Sequence, residues 1–370
     1  MYRSEPESWS SIGASQTAFN GARATSVRVE PTSAATLRSP GASRLRRTLG
    51  GAMLGLALSA LASGTPAAAA NDGLPTGPVK LAVGFAPGGA SDLTARVFAE
   101  QISKATGVDV IVENRPGASS QIANNYVSRA EPDGKTLLLV TSAAFTVHPA
   151  AYSHLDYNVD SDFRPIASLV DIPTAIATSV EKPYSDMKSF ADWVKQHPDE
   201  ATVGVATMGG YSHLGTIAVS QAIGIPFESV IYKGASPMLV DTASARIAAG
   251  ADAVASMMPL YQGGKIRFLG ISGTERLTSL PDVPTVKEQG FPEMATSFYA
   301  VYAPAGVSDQ VAAAWEKAFL DAAKAPEVIQ KLQTNGLVVQ PLDHAQLDQR
   351  VQSQRKMWEP IIKEHNIKLD

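Results

Sequence analysis

The sequence predicts an α/β protein of two domains with mostly parallel sheets. From about residue 80 to about residue 300, short apolar runs of strand length alternate with stretches whose apolar residues recur at helical spacing. This alternation is typical of parallel sheets covered by helices. About 300 residues follow the first 70 of the 370-residue chain, and that is more than one hydrophobic core usually holds. We therefore expect two lobes with a cleft between them.

The first 70 residues differ in composition from the rest. Residues 1–43 are rich in Ser, Ala, Arg and Thr, and three arginines between residues 44 and 47 precede an apolar run, Leu49–Leu61, and a small-residue stretch that ends at Ala70. This order predicts a secretory signal peptide cleaved near Ala70. A membrane anchor is the alternative, but the apolar run is shorter than the roughly 20 residues of a membrane span. The long stretch before it suggests that translation starts downstream of Met1, and the pattern leaves Sec and twin-arginine export both open.

The first strand, loop and helix of the mature chain form the unit around which the rest is organised. Leu81–Phe85 is an apolar strand, Pro87–Gly89 interrupts it, and Leu93–Ala105 has helical spacing; Val108–Val112 is the next strand. The unit places a glycine turn at the carboxyl end of a strand and at the start of a helix, where free N–H groups favour an anion. The alternative is that the turn only caps the helix.

The second half of the chain repeats this design. The strand Thr202–Ala206 runs into the glycine turn Met208–His213, and Ser212 opens the next helix. The turn is similar to the GxSxG elbow of serine hydrolases, but Gly210 and Gly215 stand one residue too far apart around Ser212. A secreted hydrolase that uses Ser212 is therefore an alternative with weak support.

The remaining pattern sets the expected domain bounds. Further strands are predicted at Thr136–Thr141, Thr174–Thr178, Val230–Tyr232, Ala253–Ser256, Arg267–Ser272 and Phe298–Ala303. Further helices are predicted at Ile122–Ala130, Ser189–Gln196, His213–Ala222, Pro237–Ser244, Pro259–Gly263, Asp309–Lys324, Pro326–Asn335 and His344–Lys363, so that the chain after Ala303 is nearly all helix. We expect crossings between lobes within 165–176 and 293–301. Lobe 1 is then 71–172 plus 297–370, and lobe 2 is 173–296.

Composition excludes several kinds of protein. The chain has no cysteine and a formal net charge of −4, which excludes disulfides and thiolate chemistry and argues against nucleic acid or an anionic membrane as partner. Its six histidines show no metal-ligand spacing, and neither a phosphate loop nor a dinucleotide fingerprint is present. We expect no metal, no cofactor and no enzymatic activity, and we interpret the chain as an exported binding protein.

Eight segments in the same order show what the chain resembles. They are PGGASDLTAR (Pro87–Arg96), VENRPGA (Val112–Ala118), PDGKTLLL (Pro132–Leu139), DFRPIA (Asp162–Ala167), SHL (Ser212–Leu214), YKGASP (Tyr232–Pro237), GKIR (Gly264–Arg267) and LPDVPTVKEQG (Leu280–Gly290). With these motifs the chain resembles the Bug-type solute-binding proteins of tripartite tricarboxylate transporters over residues 78–368. The resemblance implies a type II periplasmic-binding-protein fold, with two α/β lobes, a ligand cleft and two crossover segments.

The resemblance also implies a ligand and its site. The ligand would be a small carboxylate, held by loop N–H groups, hydroxyls and ordered waters. Carried over by matching motif, the ligand-binding residues would be Phe85, Gly88, Gly89, Asp92 and Ser142 on one lobe and Tyr211, Ser212, Ala235, Ser236 and Asp252 on the other. Asp252 is an unusual charge in an apolar stretch, which fits a strand end that faces the cleft or a turn cap.

The chain departs from the family pattern at three places. Ser119 and Ser120 stand where glycines usually follow ENRPGA, Tyr211 stands in a turn that is usually rich in Ser or Thr, and residues 241–245 lack the usual glycines. We take Ser119 and Tyr211 as candidates for an altered pocket shape. Tyr211 would either favour an aromatic acid by stacking or only fill space.

The sequence therefore predicts a periplasmic, monomeric receptor that delivers a small carboxylate to membrane permease subunits. A protein of the same fold that presents its ligand to a membrane kinase is the alternative, and the sequence does not distinguish the two. It also does not identify the carboxylate.

Overall fold

A computed structural model describes residues 73–370, so the predicted signal peptide and its cleavage near Ala70 lie outside the described residues. The strands are β1 (Val79–Val83), β2 (Val110–Asn114), β3 (Thr136–Thr141), β4 (Phe163–Ile172), β5 (Thr174–Ser179), β6 (Thr202–Val205), β7 (Glu228–Ile231), β8 (Ala249–Ala253), β9 (Ile266–Ile271), β10 (Ser297–Pro304) and β11 (Val338–Leu342). The α-helices are α1 (Ala90–Thr106), α2 (Gln121–Ser128), α3 (Ala143–Thr146), α4 (His148–Ala151), α5 (Met187–Gln196), α6 (Tyr211–Ile223), α7 (Ala235–Ala243), α8 (Val254–Gln262), α9 (Asp309–Ala322), α10 (Pro326–Gln333) and α11 (His344–Glu364).

Six strands form the first sheet, in the order β11-β4-β10-β3-β1-β2. Strand β1 pairs in parallel with β2 and β3, whereas β10 is antiparallel to both β3 and β4. Helices α1, α9 and α10 cover one face, where Phe98, Trp315 and Phe319 are fully buried. Helices α2, α3 and α11 cover the other face around Phe145 and Phe298. The sheet is buried on both sides, which explains its almost continuous apolar strands.

Five strands form the second sheet, in the order β7-β6-β8-β5-β9. Strand β6 pairs in parallel with β7 and β8, and β5 is antiparallel to β8 and β9. Helices α5 and α6 pack on one face, and α7 and α8 pack on the other. All of its strands come from a continuous stretch of the chain.

The chain passes between the two sheets twice. Strand β4 ends at Ile172 and β5 begins at Thr174, so Pro173 is the single residue between the sheets at the first passage. The return runs from the end of β9 at Ile271 to the start of β10 at Ser297. Two α/β lobes joined by two crossover segments confirm the predicted fold class.

Strands β4 and β11 are not among the predicted elements, and β11 interrupts the stretch after Ala303 that the sequence predicts to be nearly all helix; one predicted strand is wrong. Strand β4 includes Pro165 and β11 includes Pro341. In a sequence, a proline usually indicates a loop or the boundary of a helix. Pro165 is tolerated because it lies at an irregularity in the pairing with β10, and Pro341 lies in an edge strand. The predicted strand Ala253–Ser256 is wrong, since β8 ends at Ala253 and a helix follows at once. A continuous apolar run contains no residue that marks this change.

A run of left-handed backbone follows β2. Ala118, Ser119 and Ser120 have φ angles of +45°, +51° and +76°, a region that costs a residue with a side chain about 1–2 kcal/mol. Ser120 packs on Gly84, where a Cβ atom would lie 2.3 Å from the Ser120 Cβ. The Ser120 hydroxyl is also buried without a hydrogen-bond partner within residues 73–370. The chain thus places serines where glycine suits the backbone better.

Replacing Ser120 by glycine is expected to raise the free energy of unfolding by about 1–2 kcal/mol. Glycine removes the left-handed strain and the buried, unpaired hydroxyl, and its greater freedom in the unfolded chain offsets only part of that gain. Urea denaturation at pH 7 measures the change. Ser119→Gly is the matched control, because it relieves the same backbone strain at an exposed position, and it should stabilise less. A loss of stability in Ser120→Gly would show that the hydroxyl has a partner in solution.

None of the helices within residues 73–370 has the length and apolarity that a membrane crossing requires.

Candidate functional site

Nine of the ten predicted ligand-binding residues follow the carboxyl ends of strands that have a parallel partner, and the tenth, Asp252, lies just before such an end. Phe85, Gly88, Gly89 and Asp92 follow β1, Ser142 follows β3, Tyr211 and Ser212 follow β6, Ala235 and Ser236 follow β7, and Asp252 lies one residue before the end of β8. Strands β1 and β3 are neighbours in the first sheet, and β6 lies between β7 and β8 in the second. The residues therefore form two groups, one at the carboxyl ends of the strands of each sheet.

Asp92 organises the loop between β1 and α1. Its carboxylate accepts hydrogen bonds from the Gly88 N–H at 3.0 Å, the Arg96 Nε at 2.9 Å and the Asn114 Nδ2 at 2.9 Å. Asn114 also donates to the Phe85 carbonyl at 3.1 Å. The Arg96 hydrogen bond is the main cause that lowers the pKa of Asp92 to about 2. Asp92 is thus ionised and stabilises the loop, and both of its carboxylate oxygens already accept hydrogen bonds from the protein.

Ser142 ties the end of β3 to the start of β10. Its hydroxyl lies 3.1 Å from the Ser297 hydroxyl and accepts a hydrogen bond from the Phe298 N–H at 3.2 Å. The side chain is buried. Ser142 therefore lies beside the return crossover as well as at the predicted site, which its sequence position alone does not show.

Tyr211 lies in the protein interior. Its ring is 5% exposed and meets the Trp358 ring edge-on, with centroids 5.5 Å apart. Its hydroxyl lies 2.8 Å from the Thr146 Oγ1 and donates a hydrogen bond to Gln354. Because the ring is enclosed by the protein, the structure gives no support to stacking of Tyr211 on an aromatic ligand.

The ring of His213, the residue after Ser212, is hydrogen-bonded within its own turn. The Nδ1 atom of His213 accepts a hydrogen bond from the Gly209 N–H at 3.0 Å, within its own turn. Burial lowers the pKa of His213. The ring therefore serves the backbone of the β6–α6 turn, and no observation favours the hydrolase alternative.

Ser236 and Asp252 also lie at the strand ends of the five-stranded sheet. Ser236 is exposed in the first turn of α7, which follows Gly234, a residue with a φ of +105°. Asp252 accepts a hydrogen bond from the Ser256 hydroxyl at 2.7 Å, and burial raises its pKa. Asp252 is thus a half-buried acid with one oxygen, Oδ2, engaged by Ser256.

A cavity of about 1360 Å³ lies between the lobes at a different place. It is bounded by the ends of β4 and β11 and by α11 on one side, and by α8 and residues 272–279 on the other. None of the ten predicted ligand-binding residues lines it. The strand-end residues match the sequence motifs, so we place the candidate site at the strand ends and treat this cavity as a separate feature behind the crossovers.

The chain shares its two-lobe α/β fold with the solved periplasmic binding protein BugD (28% identity, TM-score 0.64, 80% of this chain and 99% of that chain covered). The profile of the family described as "Tripartite tricarboxylate transporter family receptor" matches residues 94–367. The chain belongs to this family, and the predicted resemblance is confirmed.

Curated relatives and solved structures agree with this assignment. The chain is 30% identical to a UPF0065 protein of Bordetella pertussis, over 79% of this chain and 91% of the relative. It is 27% identical to the protein BugT of the same organism, over 86% and 98% of the two chains. It is similar to an R. palustris protein solved with adipate (27% identity, TM-score 0.67, 78% and 97% covered). It is also similar to MatC of Rhodopseudomonas palustris with bound malate (28% identity, TM-score 0.64, 78% and 100% covered).

Proposed function

We propose that this protein binds a small organic carboxylate between its two lobes and delivers it to the membrane permease subunits of a tripartite tricarboxylate transporter. The proposal includes no catalysed reaction, because binding needs only a higher affinity for one arrangement of the lobes. Its setting is the periplasm, after removal of a signal peptide, and its working form is a monomer. The proposed lobes are residues 71–172 with 297–370, and residues 173–296.

The observation that carries the proposal is the way three helices begin. Helices α1, α6 and α7 start at the strand ends of the two sheets, each is preceded by a glycine, and none has a side-chain cap. The side chains of Asp186, Ser308 and Asp343 cap α5, α9 and α11. Helices α2, α3, α4, α8 and α10 also begin without a side-chain cap, but none of them starts from a glycine. Uncapped helix starts leave backbone N–H groups free, and the helix dipole makes them favourable partners for an anion.

The relatives suggest which anion fits. The R. palustris neighbour binds adipate and MatC binds malate, and both are dicarboxylates. The ten proposed ligand-binding residues include no Lys or Arg. Recognition would therefore depend on backbone N–H groups from α1 of one lobe and from α6 and α7 of the other, with Ser142, Ser212 and Ser236 as hydroxyl partners.

Isothermal titration with adipate and malate tests the proposal. The protein is first unfolded and refolded so that any trapped ligand is removed. We expect at least one dicarboxylate to bind, and to raise the melting temperature, because a ligand at 100 times its Kd stabilises the folded state by about 2.7 kcal/mol.

Adipamide is the matched control, since it has the length of adipate without its charge, and it should not bind. Equal affinity for adipate and adipamide would contradict recognition by uncapped helix starts. An absence of binding to all carboxylates tested would contradict the proposed function itself.

A further inference from the structure

Tyr211 connects helix α6 of one lobe with two helices, α3 and α11, of the other. Helix α6, which Tyr211 begins, packs on the five-stranded sheet through Val219 and Ile223. Helices α3 and α11 pack on the six-stranded sheet. The Tyr211 hydroxyl lies 2.8 Å from Thr146 on α3 and donates to Gln354 on α11. One hydroxyl therefore makes both of its hydrogen bonds to the opposite lobe.

Gln354 continues the connection to the return crossover. Its Nε2 donates to the Thr296 carbonyl at 3.1 Å, one residue before β10 begins. Gln354 is only 6% exposed, so its amide is held by these partners inside the protein.

Arg350, one turn earlier on α11, holds the first crossover. Its guanidinium donates two hydrogen bonds to the Asp171 carboxylate, at 2.7 and 3.1 Å, and a longer one of 3.4 Å to the Thr296 carbonyl. Asp171 lies two residues before Pro173. Helix α11 thus contacts both crossover segments and, through Gln354 and Tyr211, the start of α6.

We propose that Tyr211 and Gln354 are positioning residues that form a latch between the lobes and hold the arrangement seen here. The inference rests on the proposed function, because the latch adjoins two of the proposed ligand-binding residues. Ser212 follows Tyr211 directly, and Ser142 precedes α3. Loss of the Tyr211 hydroxyl removes both of these hydrogen bonds, while Leu214 and Ile217 of α6 still pack with Trp358 of α11 in one apolar cluster. The arrangement is then less strongly held, and the lobes separate more often in the absence of ligand. Open and closed states of a two-lobe protein differ by a small free energy, so two buried hydrogen bonds shift their populations measurably.

The latch is tested with Tyr211→Phe, which keeps the ring against Trp358 and removes only the hydroxyl. Tyr184→Phe is the matched control. Tyr184 is equally buried, and its hydroxyl donates to the Ala248 carbonyl at 2.8 Å within the five-stranded lobe. Both variants lose one tyrosine hydroxyl, but only Tyr211→Phe loses contacts between lobes.

The readout is the distance between the lobes in the ligand-free protein. Because the chain has no cysteine, spin labels can be placed uniquely at the exposed positions Lys195→Cys on α5 and Gln330→Cys on α10. Electron–electron double resonance should show longer and broader distances in Tyr211→Phe and the parent distribution in Tyr184→Phe. Titration with adipate should show an affinity about tenfold weaker in Tyr211→Phe alone.

Unchanged distances in Tyr211→Phe would overturn the latch, whatever the ligand proves to be. Gln354→Met serves the same purpose if Tyr211→Phe does not fold, because it removes the acceptor and keeps the length of the side chain. The distance measurement needs no ligand. A failure of the latch is thus distinct from a failure of the proposed carboxylate function.

Discussion

Replacing Asp171 by alanine is expected to lower the free energy of unfolding by about 3–5 kcal/mol. The change leaves the Arg350 guanidinium without its carboxylate at a position where each side chain is only 18% exposed. An unpaired charge in such a partly buried place costs more than the pair gains by forming, because water replaces the lost partner only in part. Arg350 also lies over the Phe298 ring, 4.2 Å from its centroid, which limits its escape to solvent.

Guanidinium denaturation at pH 7 measures this loss of stability, and two further variants serve as comparisons. The double variant Asp171→Leu with Arg350→Leu removes both charges, so it should be more stable than Asp171→Ala alone. Asp160→Ala breaks the pair between Arg355 and an aspartate that is 63% exposed, and it should cost about 1 kcal/mol or less. A small loss in Asp171→Ala, or a double variant less stable than the single one, would contradict the argument.

Acid should destabilise the protein through His148. Burial lowers the pKa of His148 from 6.5 to about 4, and the ring Nδ1 has no hydrogen-bond partner among the described residues. The unfolded chain therefore binds a proton below pH 6.5 that the folded protein takes up only near pH 4. Stability is complete above pH 6.5 and falls between pH 6.5 and 4, by about 3 kcal/mol from this group alone.

Denaturation at a series of pH values between 7 and 4 measures the loss. His148→Phe keeps an aromatic ring against Tyr152, whose ring centroid lies 5.0 Å away, and removes the titration. The free energy of unfolding of this variant should therefore change less with pH between 6.5 and 4. The difference in slope should correspond to about one proton bound on unfolding. A ring titration of His148 near pH 6.5 in the folded protein would show that the burial argument is wrong.

Much of the fold follows from local patterns in the sequence. Strand β1 and helix α1 show their periods and their glycine turn plainly, and the motifs identify the family. Strands β4 and β11 are not predicted because they contain Pro165 and Pro341. A strand tolerates these prolines only through irregular or edge pairing, which depends on the complete sheet. The first half of helix α8 is not predicted, because an apolar run looks alike in a strand and in a helix, whereas its second half is predicted as the helix Pro259–Gly263.

The candidate site is predictable to a smaller degree. The loops at the strand ends can be read from glycine turns, but the partners of a side chain cannot. Asp92 is a ligand-binding residue only by resemblance to the family, since its place at a helix start favours a bond to the backbone. The fold alone brings Asn114 to it. Tyr211 reads as a pocket residue, and its partner Gln354 is 143 residues away in the chain. Ser120 shows one usable signal, since it stands where the family pattern expects glycine.

The position of β10 in the six-stranded sheet affects the order in which the protein can fold. Strand β10 lies between β3 and β4, although it follows all five strands of the other sheet in the chain. A chain that emerges from its amino-terminal end can assemble β5 to β9 as soon as that stretch is available, because those strands are contiguous. The strands that emerge first must wait for β10 to join them. The lobe that begins the chain is therefore the last to be completed.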